Sequence, residues 1–192
     1  VEVDGDLPWS GRVAVRVAPD GDPAVAPRTL AVRLPSWVGD VTVSVDGRPA
    51  PELVPPRPDA PPSASGLAPG SARWLTLELT EGATSVDLDL EMPIRLLRQD
   101  RRVPEVGGRV AVARGPLLFC LEGIDHPGLD HLVLSDLELD AASLETIPAD
   151  DLPAGAVALH GHATDGRPLR FVPYFLWGNR GAQGMSAFVR AP

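Results

Sequence analysis

The sequence has almost no cysteine, no lysine and fewer basic than acidic residues. Its 192 residues include a single cysteine, Cys120, which excludes an internal disulfide. It has no lysine, so all 17 basic residues are arginine, and with 26 acidic residues the formal net charge is −9. A phosphate backbone would be repelled by this charge, so no nucleic-acid partner is expected.

Long hydrophobic runs are also absent. No apolar stretch approaches the roughly 20 residues that a membrane-spanning helix needs, so no membrane partner is expected. The first residues, Val-Glu-Val-Asp-Gly-Asp, contain no start methionine, basic region or apolar leader. The chain therefore reads as a piece of a longer protein, with a cytoplasmic location expected. Arginine in place of lysine, with abundant alanine, glycine and proline, indicates a bacterial GC-rich genome.

What the sequence does contain is a series of short alternating segments. Apolar and polar residues alternate with the period of two that half-buried strands show; these segments are residues 12–17, 30–34, 41–45, 74–79, 86–90, 156–163, 169–175 and 185–189. Turn residues separate them about every ten positions, which is typical of antiparallel sandwiches. Asp46-Gly47 predicts a type I′ hairpin turn. The only plausible helix lies within residues 135–151, and residues 132–134 are a short strand candidate.

Residues 110–122 form the central segment of this pattern. The first half alternates, and the second half, Leu-Leu-Phe-Cys-Leu, is apolar without a break, as in a strand buried on both faces. Gly115-Pro116 lies between the halves. Since proline cannot donate to a sheet ladder, these residues predict an edge, a bulge or a corner in one long strand.

These patterns predict an all-β protein with two antiparallel β-sandwich, jelly-roll-like domains in tandem and little or no helix. The first domain is expected at residues 1–100 and the second at residues 101–192. Residues 49–70 carry eight prolines and few residues to bury. This composition predicts a long, extended loop within the first domain.

Four stretches together resemble the C-terminal region of glycoside hydrolase family 127, the β-L-arabinofuranosidase family. They read LAVRLPSW at 30–37, LDLEMPIR at 88–95, VAVARGPLLFCLE at 110–122 and VPYFLWGNRG at 172–181. The resemblance implies a middle and a C-terminal β-sandwich that follow a large (α/α)6 barrel. It places the catalytic cysteine, its zinc-binding cysteine and glutamate partners and the acid/base glutamate in that barrel. No residue here matches those motifs, so no catalytic residue, metal ligand or cofactor is expected in this chain.

The residues with the most obvious chemical potential have simpler structural explanations. Cys120 lies in an apolar run where burial disfavours the thiolate, so a core residue is expected rather than a nucleophile. Glu105 and Glu122 are the nearest candidates for paired carboxylates, but they read more simply as a loop charge and a strand-end charge. His160 and His162 share one face of a strand and could bind zinc with His126, His131 or Asp165. A solvated strand face is the favoured interpretation.

Candidate binding or interface residues come from the turns that carry aromatic residues: Trp9, Trp37, Tyr174, Trp177, Asn179 and Arg180. Trp74, which alternates with leucines, is expected to be packed in the core. Aromatic residues at turns either fill a domain interface or stack on sugar rings. Asn179 and Arg180 either cap their own turn or contact the same partner.

Three hypotheses follow. The first is a non-catalytic sandwich portion that supports the barrel in cis and contributes to a homodimer. The second is a carbohydrate-binding module that holds a glycan on surface aromatics. The third, an independent hydrolase, needs convergent carboxylates or a reactive thiol.

Overall fold

The computed structural model describes residues 1–18, 29–50, 73–79, 84–98 and 108–191. The chain divides into two compact units, Val1–Met92 and Pro93–Pro192. The expected domain boundary at residue 100 differs from this division, because the strand Ile94–Arg98 pairs along its whole length with residues 110–114 of the second unit. Beyond its first two residues, the proline-rich segment at 49–70 lies outside the described residues.

The first unit contains seven described strands in two antiparallel sheets. In chain order they are β1 Glu2–Gly5, β2 Arg12–Val17, β3 Thr29–Leu34, β4 Val41–Val45, β5 Arg48–Pro49, β6 Arg73–Glu78 and β7 Thr84–Leu90. The larger sheet has the order β1-β2-β7-β4-β5, and β3 pairs with β6 in the second sheet. The two sheets share one apolar core, which defines a sandwich.

The alternating pattern decides which side chains enter this core. Val86, Leu88 and Leu90 of β7 are buried, while the intervening aspartates point outward. The same rule shows that the expectation for Trp74 was wrong: Leu75 and Leu77 are buried, whereas Trp74 is 41% exposed. Neighbouring residues on a strand face opposite sides, so Trp74 cannot share the core with Leu75.

The type I′ turn between β4 and β5 is confirmed. Asp46 and Gly47 both have positive φ, 49° and 74°, as this turn requires.

The second unit is built on one eight-stranded antiparallel sheet. Its strands are β8 Ile94–Arg98, β9 Arg109–Arg114, β10 Leu117–Glu122, β11 Leu139–Pro148, β12 Val157–Ala163, β13 Pro168–Pro173, β14 Met185–Ser186 and β15 Val189–Arg190. The main order is β11-β12-β13-β10-β9-β15. A bridge between Glu138 and Arg190 joins the two ends of this order. The sheet therefore folds over a single core to which strands from both ends contribute. The all-β antiparallel class is confirmed.

The interpretation of residues 110–122 as one long strand was wrong. They form a tight hairpin in which Arg114 of β9 pairs with Leu117 of β10. Gly115 has φ 54°, the positive angle that a type II′ turn needs at its first central position. Arg95 of β8 supports the turn by donating to the Gly115 carbonyl oxygen at 2.8 Å.

The helix and strand expected between residues 132 and 151 are exchanged. A short helix, α1 His131–Asp136, occupies the place of the expected strand, and Asp130 caps it by accepting the Val133 N–H at 3.0 Å. The segment expected to be helical is mostly β11, which pairs with β12. A bulge between Asp140 and Glu145 shifts the register of β11, and this shift interrupts the alternation that identifies a strand in the sequence. Within the described ranges, no helix is long and apolar enough to cross a membrane.

Candidate functional site

The structure separates the six candidate residues into two groups. Trp9 and Trp37 belong to the first unit and are half-buried, and Trp37 packs against the core of that unit. The other four lie together in the second unit, in the segment Tyr174–Gly181 that follows β13. We call this segment the aromatic turn.

The aromatic turn exposes three large apolar side chains. Tyr174, Phe175 and Trp177 are 44%, 57% and 46% exposed, while Leu176 between them is buried. Phe175 was not among the candidate residues, although it is the most exposed of the three. Ile124 is exposed as well and lies next to Gly181. A cluster of this kind on the surface marks a site of interaction more often than isolated apolar residues do.

A buried carboxylate anchors the turn. Glu122, at the end of β10, is only 1% exposed. Its Oε1 accepts the Gly178 N–H at 2.8 Å, and its Oε2 accepts a hydrogen bond from Arg180 Nη2 at 2.5 Å. Glu122 was expected to be a simple strand-end charge, but its buried carboxylate binds two residues of the aromatic turn.

Arg180 connects this anchor to further charges. Its guanidinium contacts both carboxylate oxygens of Asp125 at 2.5 and 2.9 Å, and Asp151 at 2.9 Å. Arg170 of β13 contacts the same two aspartates, Asp125 at 2.9 Å and Asp151 at 2.5 Å. These five residues, three carboxylates and two guanidinium groups, are called the arginine network below.

The network changes the proton affinities of its members. Burial opposes the charge of Asp125, but the hydrogen bonds and charges of Arg180 and Arg170 bring its pKa below the usual value. The hydrogen bond from Arg170 is the main reason that the pKa of Asp151 falls to about 2. The pKa of Arg180 rises, chiefly through its hydrogen bond to Asp125. All of these groups are therefore charged at neutral pH.

Acid is expected to weaken the second unit through these aspartates. A carboxylate whose pKa is depressed in the folded state contributes stability above its unfolded pKa of about 3.9, and the contribution is lost as the pH falls through the folded value. The urea midpoint of the second unit should therefore fall between about pH 4 and pH 2. Asp151→Asn should reduce this fall, while Asp150→Asn, one residue away and outside the network, should not. An equal fall in wild type and Asp151→Asn would contradict the assignment.

His126 ties the network to the sheet. It is buried, its Nδ1 lies 2.7 Å from the Glu122 carbonyl oxygen, and its Nε2 accepts the Arg170 N–H at 3.2 Å. These partners assign the proton to Nδ1. Both ring nitrogens are thus engaged with backbone groups, so His126 has no lone pair for zinc.

In the part of the chain that the structure describes, the remaining titratable groups do not converge on a metal site. His160 is half-buried and lies opposite Glu145 in the sheet, whereas His162 is exposed. Across the residues that the structure describes, no group of three or more His, Cys, Asp or Glu side chains could hold a metal ion. Glu105 lies outside the described residues.

Cys120 is a core residue, as expected. Its side chain is fully buried, and burial, followed by the negative charge of Glu122, raises the pKa of the thiol to about 12. The thiolate, which is the nucleophile, is therefore scarcely populated at neutral pH. Iodoacetamide should leave Cys120 unmodified in the folded chain and label it in urea, as measured by intact mass. Stoichiometric labelling of the folded chain would contradict this reading.

Taken together, these features define a class of protein with two all-β domains in tandem, in which a buried ion pair holds an exposed aromatic turn in place. Comparison with known proteins gives the family. The C-terminal domain of glycoside hydrolase family 127 matches residues 94–190, and the middle domain of the β-L-arabinofuranosidases of family 127 matches residues 1–58. The chain belongs to glycoside hydrolase family 127, and it corresponds to the C-terminal part of that family's proteins.

Individual relatives agree with this assignment. A non-reducing end β-L-arabinofuranosidase from Bifidobacterium longum subsp. longum is 31% identical over 213 residues, covering 99% of this chain and 30% of the relative. A crystal structure of a GH127 β-L-arabinofuranosidase from Geobacillus stearothermophilus T6 has a TM-score of 0.70 and 26% identity, over 99% of this chain and 30% of that one. A structure described as a glycoside hydrolase has a TM-score of 0.69 and 25% identity, over 98% and 32%. The chain thus spans about 30% of the length of the relatives it matches.

Proposed function

We propose that this chain is the non-catalytic sandwich portion of a family 127 glycoside hydrolase of the β-L-arabinofuranosidase type. In this proposal it buttresses an (α/α)6 catalytic barrel in the same polypeptide. Support comes from the family assignment and from the fraction of each relative that the chain covers, since about 70% of their length lies outside the match.

The exposed aromatic turn is the observation that carries the proposal. Three neighbouring aromatic side chains face solvent on a segment that a buried carboxylate holds in place. Covering them would gain roughly 25 cal/mol for each Å² of apolar surface removed from water. A partner that binds a preformed surface also loses less conformational entropy than one that must order a loop. We therefore assign the turn to contact with the catalytic domain.

The chemistry of hydrolysis belongs, in this proposal, to the barrel. The buried Cys120 thiol and the ion-paired Glu122 are both unsuited to attack or proton transfer at a sugar. This chain would act on catalysis indirectly, by keeping the barrel folded.

A reconstitution experiment tests the proposal. The barrel of the longer protein and this chain are expressed separately, mixed, and followed by size-exclusion elution and by hydrolysis of an aryl β-L-arabinofuranoside. We expect this chain alone to be inactive, to co-elute with the barrel and to raise its melting temperature. Trp177→Ala should weaken co-elution, while Trp74→Ala, a similarly exposed tryptophan in the other unit, serves as the matched control. Hydrolysis by this chain alone, or no association, would overturn the proposal.

The second candidate function is glycan binding. Two exposed aromatic rings, Tyr174 and Trp177, share one turn with the exposed amide of Asn179, and an aromatic ring beside a polar group is a common arrangement for sugar recognition. Calorimetric titration of this chain with arabinofuranosyl oligosaccharides distinguishes the two functions. Binding that Trp177→Ala abolishes would favour the glycan; absence of binding together with barrel association favours buttressing.

Homodimer formation and a cytoplasmic location stay predictions. Sedimentation of this chain at several concentrations would test the first, and a dimer that Trp177→Ala dissociates would identify the aromatic turn as its interface.

A further inference from the structure

The aromatic turn begins with one turn of 3-10 helix, Tyr174–Leu176, and has no further helix or strand up to Gly181. Its internal backbone hydrogen bonds join residues three apart in the sequence. Two of them are long: the Asn179 nitrogen lies 3.3 Å from the Leu176 carbonyl oxygen, and the Gly181 nitrogen lies 3.3 Å from the Gly178 carbonyl oxygen. Gly178 has φ 78°, a conformation that few other residues adopt. Hydrogen bonds of this length restrain the turn only weakly, so contacts from outside the turn contribute more to fixing it.

Glu122 supplies these contacts on the far side of Trp177. One carboxylate oxygen accepts the N–H of Gly178, and the other accepts a hydrogen bond from the guanidinium of Arg180. The near side is fixed separately, because Pro173, just before the turn, pairs with Phe119 of β10. After the turn the chain returns to the same strand, where Met185 pairs with Glu122. The turn is thus a loop whose entry, middle and exit all attach to β10.

The other charges fix the position of Arg180 itself. Its guanidinium is shared among Glu122, Asp125 and Asp151, while Arg170 holds the two aspartates from β13. A planar guanidinium that bonds three carboxylates has few alternative positions. Buried ion pairs add little net stability compared with apolar residues of the same size, so specifying one conformation is the better explanation for this one.

We propose that Glu122 and Arg180 are positioning residues, which hold the aromatic turn in the single conformation that docks on the catalytic domain. This inference rests on the proposed function. Neither residue needs to touch the partner. Their replacement weakens docking because the fraction of molecules with a competent turn falls, and the apparent dissociation constant rises in inverse proportion.

Fluorine NMR of the whole chain labelled with 5-fluorotryptophan tests the positioning directly. The chain has four tryptophans, of which Trp177 is the one in the second unit, and Trp177→Phe assigns its resonance. In Glu122→Gln an NH2 group, which donates and does not accept, replaces one of the two oxygens, so either the Gly178 N–H or Arg180 faces a donor instead of an acceptor. We expect the Trp177 resonance to split or broaden, while those of Trp9, Trp37 and Trp74 stay unchanged. Asp165→Asn, which breaks the exposed pair with Arg167 in the same unit, is the control and should leave all four resonances unchanged.

Arg180→Lys covers the case in which Glu122→Gln does not fold. The compact ammonium group keeps the charge but cannot bridge three carboxylates, so the same resonance should change to a smaller degree. A Trp177 resonance that stays single and sharp in a folded variant would overturn the inference.

A double-mutant cycle then separates positioning from a purely structural role. In the reconstitution assay we expect Glu122→Gln to weaken docking about tenfold, which corresponds to a competent fraction near one tenth. When Trp177→Ala has already removed the contact, Glu122→Gln should add little, so the two effects should be strongly non-additive. Additive effects would overturn the inference and leave the proposed function intact. No effect of Trp177→Ala would instead contradict the proposed function, while the NMR result would still report on positioning.

Discussion

Arg180→Ala is expected to lower the free energy of unfolding of the second unit by about 3–5 kcal/mol, the usual cost of removing one partner from a buried ion pair. The reason is that Glu122 and Asp125, whose side chains are 2% and 11% exposed, would remain buried without the guanidinium that pairs with them. Urea denaturation followed by the fluorescence of Trp177, in a background with the other three tryptophans replaced by phenylalanine, measures this unit.

The matched control is Arg167→Ala, which removes an arginine of the same unit from an exposed pair. Arg167 and Asp165 are 50% and 48% exposed, and exposed pairs contribute about 0–1 kcal/mol. If Arg180→Ala and Arg167→Ala lowered the free energy of unfolding by the same small amount, the arginine network would contribute no more stability than an exposed surface pair. The positioning argument would then lose its energetic basis.

Gly11→Ala is expected to destabilise the first unit by about 3 kcal/mol or more, at the upper end of what overpacking costs. A Cβ at this position would lie 1.8 Å from the Leu90 carbonyl oxygen, a backbone atom that cannot rotate away. The Leu90 N–H also donates to the Gly11 carbonyl oxygen at 3.0 Å, so separating the two segments would break this hydrogen bond. Urea denaturation followed by far-ultraviolet circular dichroism measures the loss.

Gly39→Ala provides the comparison for Gly11→Ala. The nearest atom to its added Cβ is Glu91 Oε2, at 2.2 Å, which belongs to a side chain that can rotate. That rotation loses one hydrogen bond, from the Asp40 N–H, of about 1 kcal/mol. A smaller loss for Gly39→Ala than for Gly11→Ala is therefore expected. Equal effects would show that the strands can separate locally at Gly11.

The strands of the first unit could be predicted because one physical rule produces both their pattern and their packing. The alternating residues 12–17 and 41–45 have the same bounds as β2 and β4. The same rule, applied fully, would have placed Trp74 on the outside, since it is adjacent to the inward-facing Leu75.

The elements that were wrongly predicted are those where the local sequence pattern is compatible with more than one structure. Gly115-Pro116 interrupts a ladder in the middle of a strand but closes a hairpin equally well, and the sequence alone does not show which strands pair. The bulge in β11 removed the alternation that would have identified that strand.

The arginine network could not be predicted because its members are distant in the sequence. Arg180 and its partner Glu122 are 58 residues apart, and only the closed sheet brings them together. One signal was present: Glu122 ends an uninterrupted apolar run, where a charge is buried only if it is paired. That signal indicates the need for a cation without indicating which of the 17 arginines provides it.

Hydroxyl-radical footprinting of the proposed longer enzyme, in which a catalytic barrel precedes this chain, tests the central claim most directly, because side-chain oxidation reports solvent access at Tyr174, Phe175 and Trp177. In this chain these three side chains are about half exposed. If the aromatic turn docks on the catalytic domain, all three should oxidise much more slowly in the longer enzyme than in this chain, with Arg180→Lys restoring part of the reactivity. If the three residues oxidise equally fast in both proteins, the turn is not covered by the rest of the enzyme and the proposed role is wrong.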